Sequence, residues 1–340
     1  MSAPGSVVAF VMPYYDDGQP WRRSTLDLTL ESIRRQSDGD WHVYLTDDAS
    51  PHPGTRAFLA DTAARMPGRM TVLEAPVNAG AGDARNRAVR AAASDGCTLL
   101  AYLDSDDVAH PDRVRVVRQR FAQDPALEFL YSDIEFIDEH GAPWESADLL
   151  PGLHLLNQQQ ALPKLTGRER WAEQATDRDN IAIPSAMNLR TDLALRFPFP
   201  RVRFCEDVAT LFRYLGSGAK IDHVAGIPTG YRVPRQGGSS SRKQSGDLDE
   251  FNRLRCVNER AGLEDALAHA VERGVTDELR GRAVLCRYLI RIGRTVAADG
   301  SPELGREQLR EAYALDPATF AEHATRRELD SVEREVGSRL

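Results

Sequence analysis

"LLAYLDSDDVAHP" (residues 99–111) is the stretch on which the reading of this chain turns. A short apolar run ends in Asp104, Ser105, Asp106 and Asp107, and a Pro-led helix start follows at Pro111. An apolar run of this length, bounded by turn and helix signals, reads as a buried strand. Carboxylates crowded at a strand end repel one another, and a divalent cation resolves that repulsion. Hard cations such as Mg²⁺ and Mn²⁺ take oxygen ligands, commonly one or two carboxylates together with substrate phosphates. The competing reading is a solvated turn with an aspartate capping the next helix. Asp107 is the expected cap.

The surrounding 138 residues alternate strand-like and helix-like segments. Strands are expected at 7–13, 41–46, 70–75, 97–103 and 127–138, and helices at 24–36, 55–66, 82–94 and 112–123. In the first helix Leu26, Leu30 and Ile33 share one face at i, i+4 and i+7. Such a β-α order predicts an α/β fold, a doubly wound, mostly parallel sheet with helices on both faces. Ligands of such sheets bind beyond the carboxyl ends of the strands. Acidic residues fall at that edge three times: Asp16 after the first strand, Asp47 and Asp48 after the second, Asp104 and Asp106 after the fourth.

Two of these clusters are ambiguous taken singly. A carboxylate in the turn "TDDASP" (46–51) can accept the imide N–H of a uracil ring, or it can serve the turn alone. "NAGAGDARNRAV" (78–89) offers small residues and Arg85 at a helix start, suited to an anion or to close packing.

Residues 139–180 read as loops with one short helix near Arg168–Ala175, and 180–190 returns to strand character. Trp144, His154 and Trp171 in this insert are candidates for stacking on an acceptor, against the alternative of local packing. "CEDVATLFRYLGSG" (205–218) is a helix, and "RQGGSSSRKQSG" (235–246) is too polar and Gly/Ser-rich to pack, hence a mobile loop. The expected division is a sheet domain at 1–245 and a helical extension of four or five helices at 246–340. Residues 283–317 read as one helical hairpin within it, whose ending "AYALDP" resembles a tetratricopeptide unit, with plain helical packing against the sheet domain the favoured reading.

The net charge of −8, from 43 basic and 51 acidic residues, argues against a nucleic-acid or anionic-membrane binder. The four cysteines have no zinc or redox spacing. No stretch approaches the ~20 apolar residues of a membrane span, so no transmembrane anchor is expected and the expected location is cytoplasmic.

Read together, "MPYYDD" (12–17), "LTDDASPH" (45–52), "NAGAGDARNRAV", "LAYLDSDDVAHPDRV", "CEDVATLFR" and "YRVPRQGGSSS" (231–241) resemble, in order and spacing, the inverting family-2 glycosyltransferases of GT-A fold with their DxD motif. The resemblance covers about residues 6–245. It implies that Pro13, Tyr15 and Asp16 line the base and ribose pocket and that Asp48 holds the base. Arg85 lies near base or phosphates. Asp104, Ser105 and Asp106 face the donor, with Asp106 the main ligand of a Mn²⁺ or Mg²⁺ ion and Asp104 on ribose or metal. Asp207, supported by Glu206, is the general base, kept ionised by the helix start. Arg232 closes over the diphosphate. The implied reaction is metal-dependent hexosyl transfer from a nucleotide sugar, a UDP-sugar favoured, to an unidentified acceptor.

Asp16 replaces the family's usual asparagine, and "RFPFPRVRF" (196–204) replaces a Gly-Gly-Phe turn. Two other readings compete. A catalytically silent scaffold would act through its helical tail, which is also a candidate homodimer interface. A sugar nucleotidyltransferase would need a basic Gly-rich loop after the first strand, where acidic residues stand instead.

Overall fold

A computed structural model describes residues 7–145, 151–168, 170–178, 180–235 and 247–337, the side chains of 151, 152, 154, 155 and 335–337 aside. The stretch 236–246, expected as a mobile loop, and the His154 side chain lie outside the described residues.

The first half alternates as its periodicity predicts: β1 (Val8–Tyr14), α1 (Pro20–Arg34), β2 (Trp41–Asp47), α2 (Thr55–Ala64), β3 (Met70–Glu74), α3 (Ala81–Ser94), β4 (Leu99–Tyr102), α4 (Arg113–Gln123) and β5 (Leu127–Ile137). Helix α1 starts four residues earlier than its apolar face suggested, because Pro20 at its first turn is already pre-set for a helix. Then come α5 (Pro151–Ala161), α6 (Glu173–Thr176), a 3-10 turn at Pro184–Ala186, β6 (Met187–Arg190), α7 (Thr191–Arg196), α8 (Glu206–Gly216) and β7 (Lys220–Arg232). The chain ends in α9 (Leu248–Glu272), α10 (Glu278–Ala298), α11 (Pro302–Leu315), α12 (Pro317–His323) and α13 (Arg326–Gly337).

The seven strands form one mixed sheet in the order β3-β2-β1-β4-β6-β5-β7. All neighbouring pairs run parallel except those of β6, which is antiparallel to β4 and to β5. Alternation along β1 splits the core. Val8, Phe10 and Met12 pack with Leu26, Leu30 and Val117 on the α1/α4 side. Ala9 and Val11 face the layer holding Ala88 of α3, Phe212 of α8 and Leu263 of α9.

Three elements escaped the sequence: β7, α5 and the short α7. Strand β7 carries polar Asp222 and His223 at its start and breaks register with β5 between Ser132 and Ile134, so its alternation is blurred. Helix α5 lies where loops were expected, and of the helix expected at Arg168–Ala175 only Glu173, Gln174 and Ala175 are helical. Trp171 is buried in the α8–α9 core, which settles it as packing and removes it as a stacking platform.

Candidate active site

The carboxyl edge of the sheet gathers the acidic residues in linked groups. At the ends of β1 and β2 the backbone is stitched by Asp48 N–H to the Tyr14 carbonyl at 2.9 Å and by Asp16 N–H to Ser50 Oγ at 2.7 Å. Asp16 is buried, and its carboxylate accepts from Gly18 N–H (2.9 Å), Arg23 Nε (2.9 Å) and Thr55 Oγ1 (3.0 Å). Burial alone would raise its pKa, but the Arg23, Gly18 and Thr55 hydrogen bonds win and hold it below the usual range. The charge that Asp16 brings in place of asparagine is therefore matched within the fold. Pro13 is buried beside it and Tyr15 half-buried.

Asp48, also buried, spends one oxygen on the Ala79 amide (3.0 Å) and the other on the Gly80 amide (2.8 Å). It thereby fixes the entry to α3. Its neighbour Ala49 takes a left-handed φ of 54°, one of two non-glycine residues among those described that do so; the other is Cys205 at 60°. Each adjoins a candidate carboxylate, and strain of this kind, on the order of 1–3 kcal/mol, concentrates at functional sites.

Helix α3 then delivers Arg85. This guanidinium is almost fully buried, donating from one Nη to Asp104 Oδ1 at 2.6 Å and from the other to Glu206 Oε1 at 3.0 Å, with the Phe199 ring 5.2 Å away. Burial works against the charge on Arg85, yet Asp104 and Glu206 outweigh it and raise its pKa. One side chain so ties the end of β4 to the start of α8. Gly82, a turn earlier, is there for packing: a Cβ would meet Phe199 Cβ at 3.0 Å and Glu206 Cγ at 3.1 Å.

Asp207 is half-buried beside Glu206, and its Oδ1 accepts from Val208 N–H at 2.9 Å. The helix start was expected to keep it ionised. Burial and then the Glu206 charge push its pKa up to about 6, which leaves it mostly ionised at neutral pH. That suits a base working near neutrality.

The DSDD turn is held from behind. Asp104 N–H donates to Ser185 Oγ at 2.9 Å, and Thr29 Oγ1 donates to the Asp107 carbonyl at 2.7 Å. Asp104, Ser105 and Asp106 are half-buried, whereas Asp107 is fully buried. Asp107 does not cap α4, whose N-cap residue is Asp112; its Oδ1 takes the Arg232 amide at 2.9 Å. Burial, then Asp106 and Asp104, push its pKa well above the usual range. Arg232, expected over the diphosphate, is itself buried. Its Nε donates to the Asp106 carbonyl (2.7 Å) and one Nη to the Asp138 carbonyl (2.8 Å), so it braces the turn from inside.

Arg113, Ser185, Asn86 and Tyr231 went unread in the sequence. Arg113 is fully buried and bonds the Ser185 carbonyl (2.6 Å), Asn188 Oδ1 (2.9 Å) and the Tyr102 carbonyl (2.9 Å), joining β4 to the 3-10 turn under Asp104. Asn86 pairs both ways with the backbone of Phe199 at 2.9 Å. The Tyr231 phenol is pushed up by burial first and then by the charges of Asp107, Asp106, Asp104 and Asp207. Arg113 carries a faint signal, an arginine on the inward face of a helix otherwise apolar there; Ser185 carries none. Trp144 donates Nε1–H to the Val233 carbonyl at 2.9 Å and lies under Arg235.

No helix among the described residues is long and apolar enough to cross a membrane. Residues 9–172 match the family model Glycosyl transferase family 2. The chain is 38% identical over 104 residues to the succinoglycan biosynthesis protein ExoW of Rhizobium meliloti, 31% of this chain and 30% of that one. It spans less than half the length of the curated relatives it matches. Among solved structures, S. aureus TarS 1-349 in complex with UDP-GlcNAc superposes with a TM-score of 0.62 at 15% identity, over 92% of this chain and 82% of TarS. The mannosyltransferase PcManGT from Pyrobaculum calidifontis, with GDP-Man and Mn²⁺, gives 0.55 at 15% identity, over 98% and 86%. At that identity the likeness speaks for the fold. Residues 9–172 are thus matched to the family-2 glycosyltransferases, on a GT-A-like fold that continues into a C-terminal helical region.

Proposed function

We propose that the protein moves a hexosyl group from a nucleotide sugar, a UDP-sugar favoured, to an acceptor hydroxyl with inversion at the anomeric carbon. The observation that carries this is the buried Arg85 bridge. It brings a strand-end carboxylate suited to a donor diphosphate within one guanidinium of a carboxylate pair suited to a base. That S. aureus TarS has been solved with UDP-GlcNAc and PcManGT with GDP-Man and Mn²⁺ supports a nucleotide-sugar donor.

Asp104 and Asp106 fit a hard divalent cation, Mn²⁺ or Mg²⁺. Both are half-exposed carboxylates on one turn, and among the described residues no three His, Cys, Asp or Glu side chains form a closed cage. Such a pair leaves coordination positions for phosphate oxygens. When bound, a cation there neutralises charge on the departing diphosphate. Arg85 holds Asp104 and Glu206 in place, Arg232 and Ser185 fix the turn, and Pro13, Tyr15, Asp16 and Asp48 shape the nucleoside end. Asp207 takes the proton of the acceptor hydroxyl as it attacks from the face opposite the leaving group, a contribution of roughly 10²–10⁴ in rate.

The experiment is a thermal-unfolding panel of UDP, GDP, dTDP and CDP, each with Mn²⁺ and with chelator. Binding to the folded state alone adds about 2.7 kcal/mol at a hundredfold excess over Kd. One nucleotide should raise Tm in a Mn²⁺-dependent way, and Asp207→Asn should keep that shift while losing turnover. A flat panel, or an active Asp207→Asn enzyme, rejects the proposal.

A further inference from the structure

We infer that α9 of the helical region, through Asn258, positions the Glu206–Asp207 pair; this rests on the reading of Asp207 as the base. Helix α8 begins at Glu206, and the residue before it, Cys205, sits at φ 60° with no side-chain bond to the first amides of α8. L-residues avoid that conformation unless the surroundings impose it. What imposes it here is α9. Asn258 Nδ2 donates to the Phe204 carbonyl at 2.9 Å, and Phe251, two turns earlier on the same face, meets the Phe204 ring at 5.4 Å. Arg203 reaches Glu250 at 3.5 Å. All of these grip Arg203 and Phe204, which lead through Cys205 into the Glu206–Asp207 pair.

Close approach of the two helices makes the grip firm. A Cβ on Gly262 would lie 2.5 Å from Ala209 Cα, and Ala266 meets Gly216 where a Cβ would stand 3.0 Å away. So α9 is pressed onto α8 from its first turn to its last. The Cys205 thiol is raised by burial first and then by the charges of Glu259 of α9 and of Asp207. A misplacement of about 1 Å in a catalytic group costs about 10²-fold in rate. The loss of one hydrogen bond at this entry is therefore expected to be visible in kcat.

The test uses the full chain with Asn258→Leu, which removes the donor, and Asn258→Gln, which restores a carboxamide. Turnover is followed with Mn²⁺ and whichever of UDP-glucose, UDP-galactose, UDP-GlcNAc or GDP-mannose the wild type consumes. In parallel, native thiol labelling with Ellman's reagent reads Cys205, the half-exposed cysteine, against buried Cys97 and Cys286. Asn258→Leu should lower kcat by about tenfold or more with donor KM within about twofold. It should speed Cys205 labelling without speeding Cys97 or Cys286, and Asn258→Gln should recover part of both. Unchanged kcat and labelling, or a uniform acceleration of all the thiols, overturns the inference. An active Asp207→Asn enzyme sinks the base assignment instead, and Cys205 labelling still decides whether Asn258 holds the α8 entry.

Discussion

Asp207 and Arg85 are two charges whose states depend on each other. Burial and Glu206 raise Asp207 to about 6, while Arg85 pulls it down. The base must be ionised, so kcat/KM, which reports the free enzyme, should fall about tenfold per pH unit below about 6 and level off above it. A profile flat down to pH 5 removes Asp207 from the role. Arg85→Met deletes the compensating cation and leaves Asp104 and Glu206 without their shared partner. The acid limb should then move to higher pH, and stability in urea should drop by about 1–3 kcal/mol, the cost of charged hydrogen bonds lost by two carboxylates that water can still reach. Movement of the limb separates an electrostatic role from simple loss of packing. The carboxylates themselves were legible in the sequence because they stand at strand ends or, for Glu206 and Asp207, at a helix start, each inside a motif. Their partners were not. Nothing in "IPSAMN" marks Ser185 as the acceptor for the Asp104 amide, since that contact spans 81 positions and exists only once β6 runs antiparallel between β4 and β5. Arg232 was legible as important and misplaced in role, because sequence carries no sign of which way a guanidinium turns.

At the scale of elements, regular periodicity made β1 to β5 and their helices readable, and irregularity hid β7 and α5. Glycines show the same divide. In "NAGAGDARNRAV" the sequence left open whether small residues serve an anion or packing; at Gly82 the answer is packing. Gly82→Ala would gain about 1 kcal/mol of helix propensity. Against that, the new Cβ meets Phe199 Cβ at 3.0 Å and the Pro200 carbonyl at 3.2 Å, neither the loose end of a flexible side chain. Overpacking costs about 1–3 kcal/mol, so the variant should be net destabilised and Glu206 displaced. Gly281 in α10 is the control. Its nearest neighbour would be Leu267 Cδ2 at 3.5 Å, ordinary contact, so Gly281→Ala should stabilise by about 0.5–1 kcal/mol. Urea titrations of both variants check the pair, and equal signs would refute the contact argument.

For the whole molecule the question is whether the helical region is an appendage. The division expected from sequence fell at residue 246, where strand signal stops. Physically the core does not stop there. Phe212 and Leu215 of α8 share one apolar cluster with Leu263 and Ala266 of α9 and with Leu289 and Ile292 of α10. Arg291 of α10 donates Nε–H to the Ala175 carbonyl at 2.8 Å, and Arg287 pairs with Asp177 at 2.9 Å. A chain cut after residue 246 would uncover the side of α8 that meets α9 and α10 at Ala209, Phe212 and Gly216, and would remove the tail's own part of the shared apolar cluster. One large apolar side chain contributes about 1.5–3 kcal/mol when buried, against the ~5–15 kcal/mol by which a domain is stable at all. The truncated protein is therefore expected to lose near-UV circular dichroism, bind ANS and unfold without a cooperative transition, even though the sheet residues and every candidate site carboxylate are present. A soluble fragment 1–246 with a sharp melting transition and full nucleotide response would make the helices a separate unit, and with it would fall the idea that α9 holds the entry to α8.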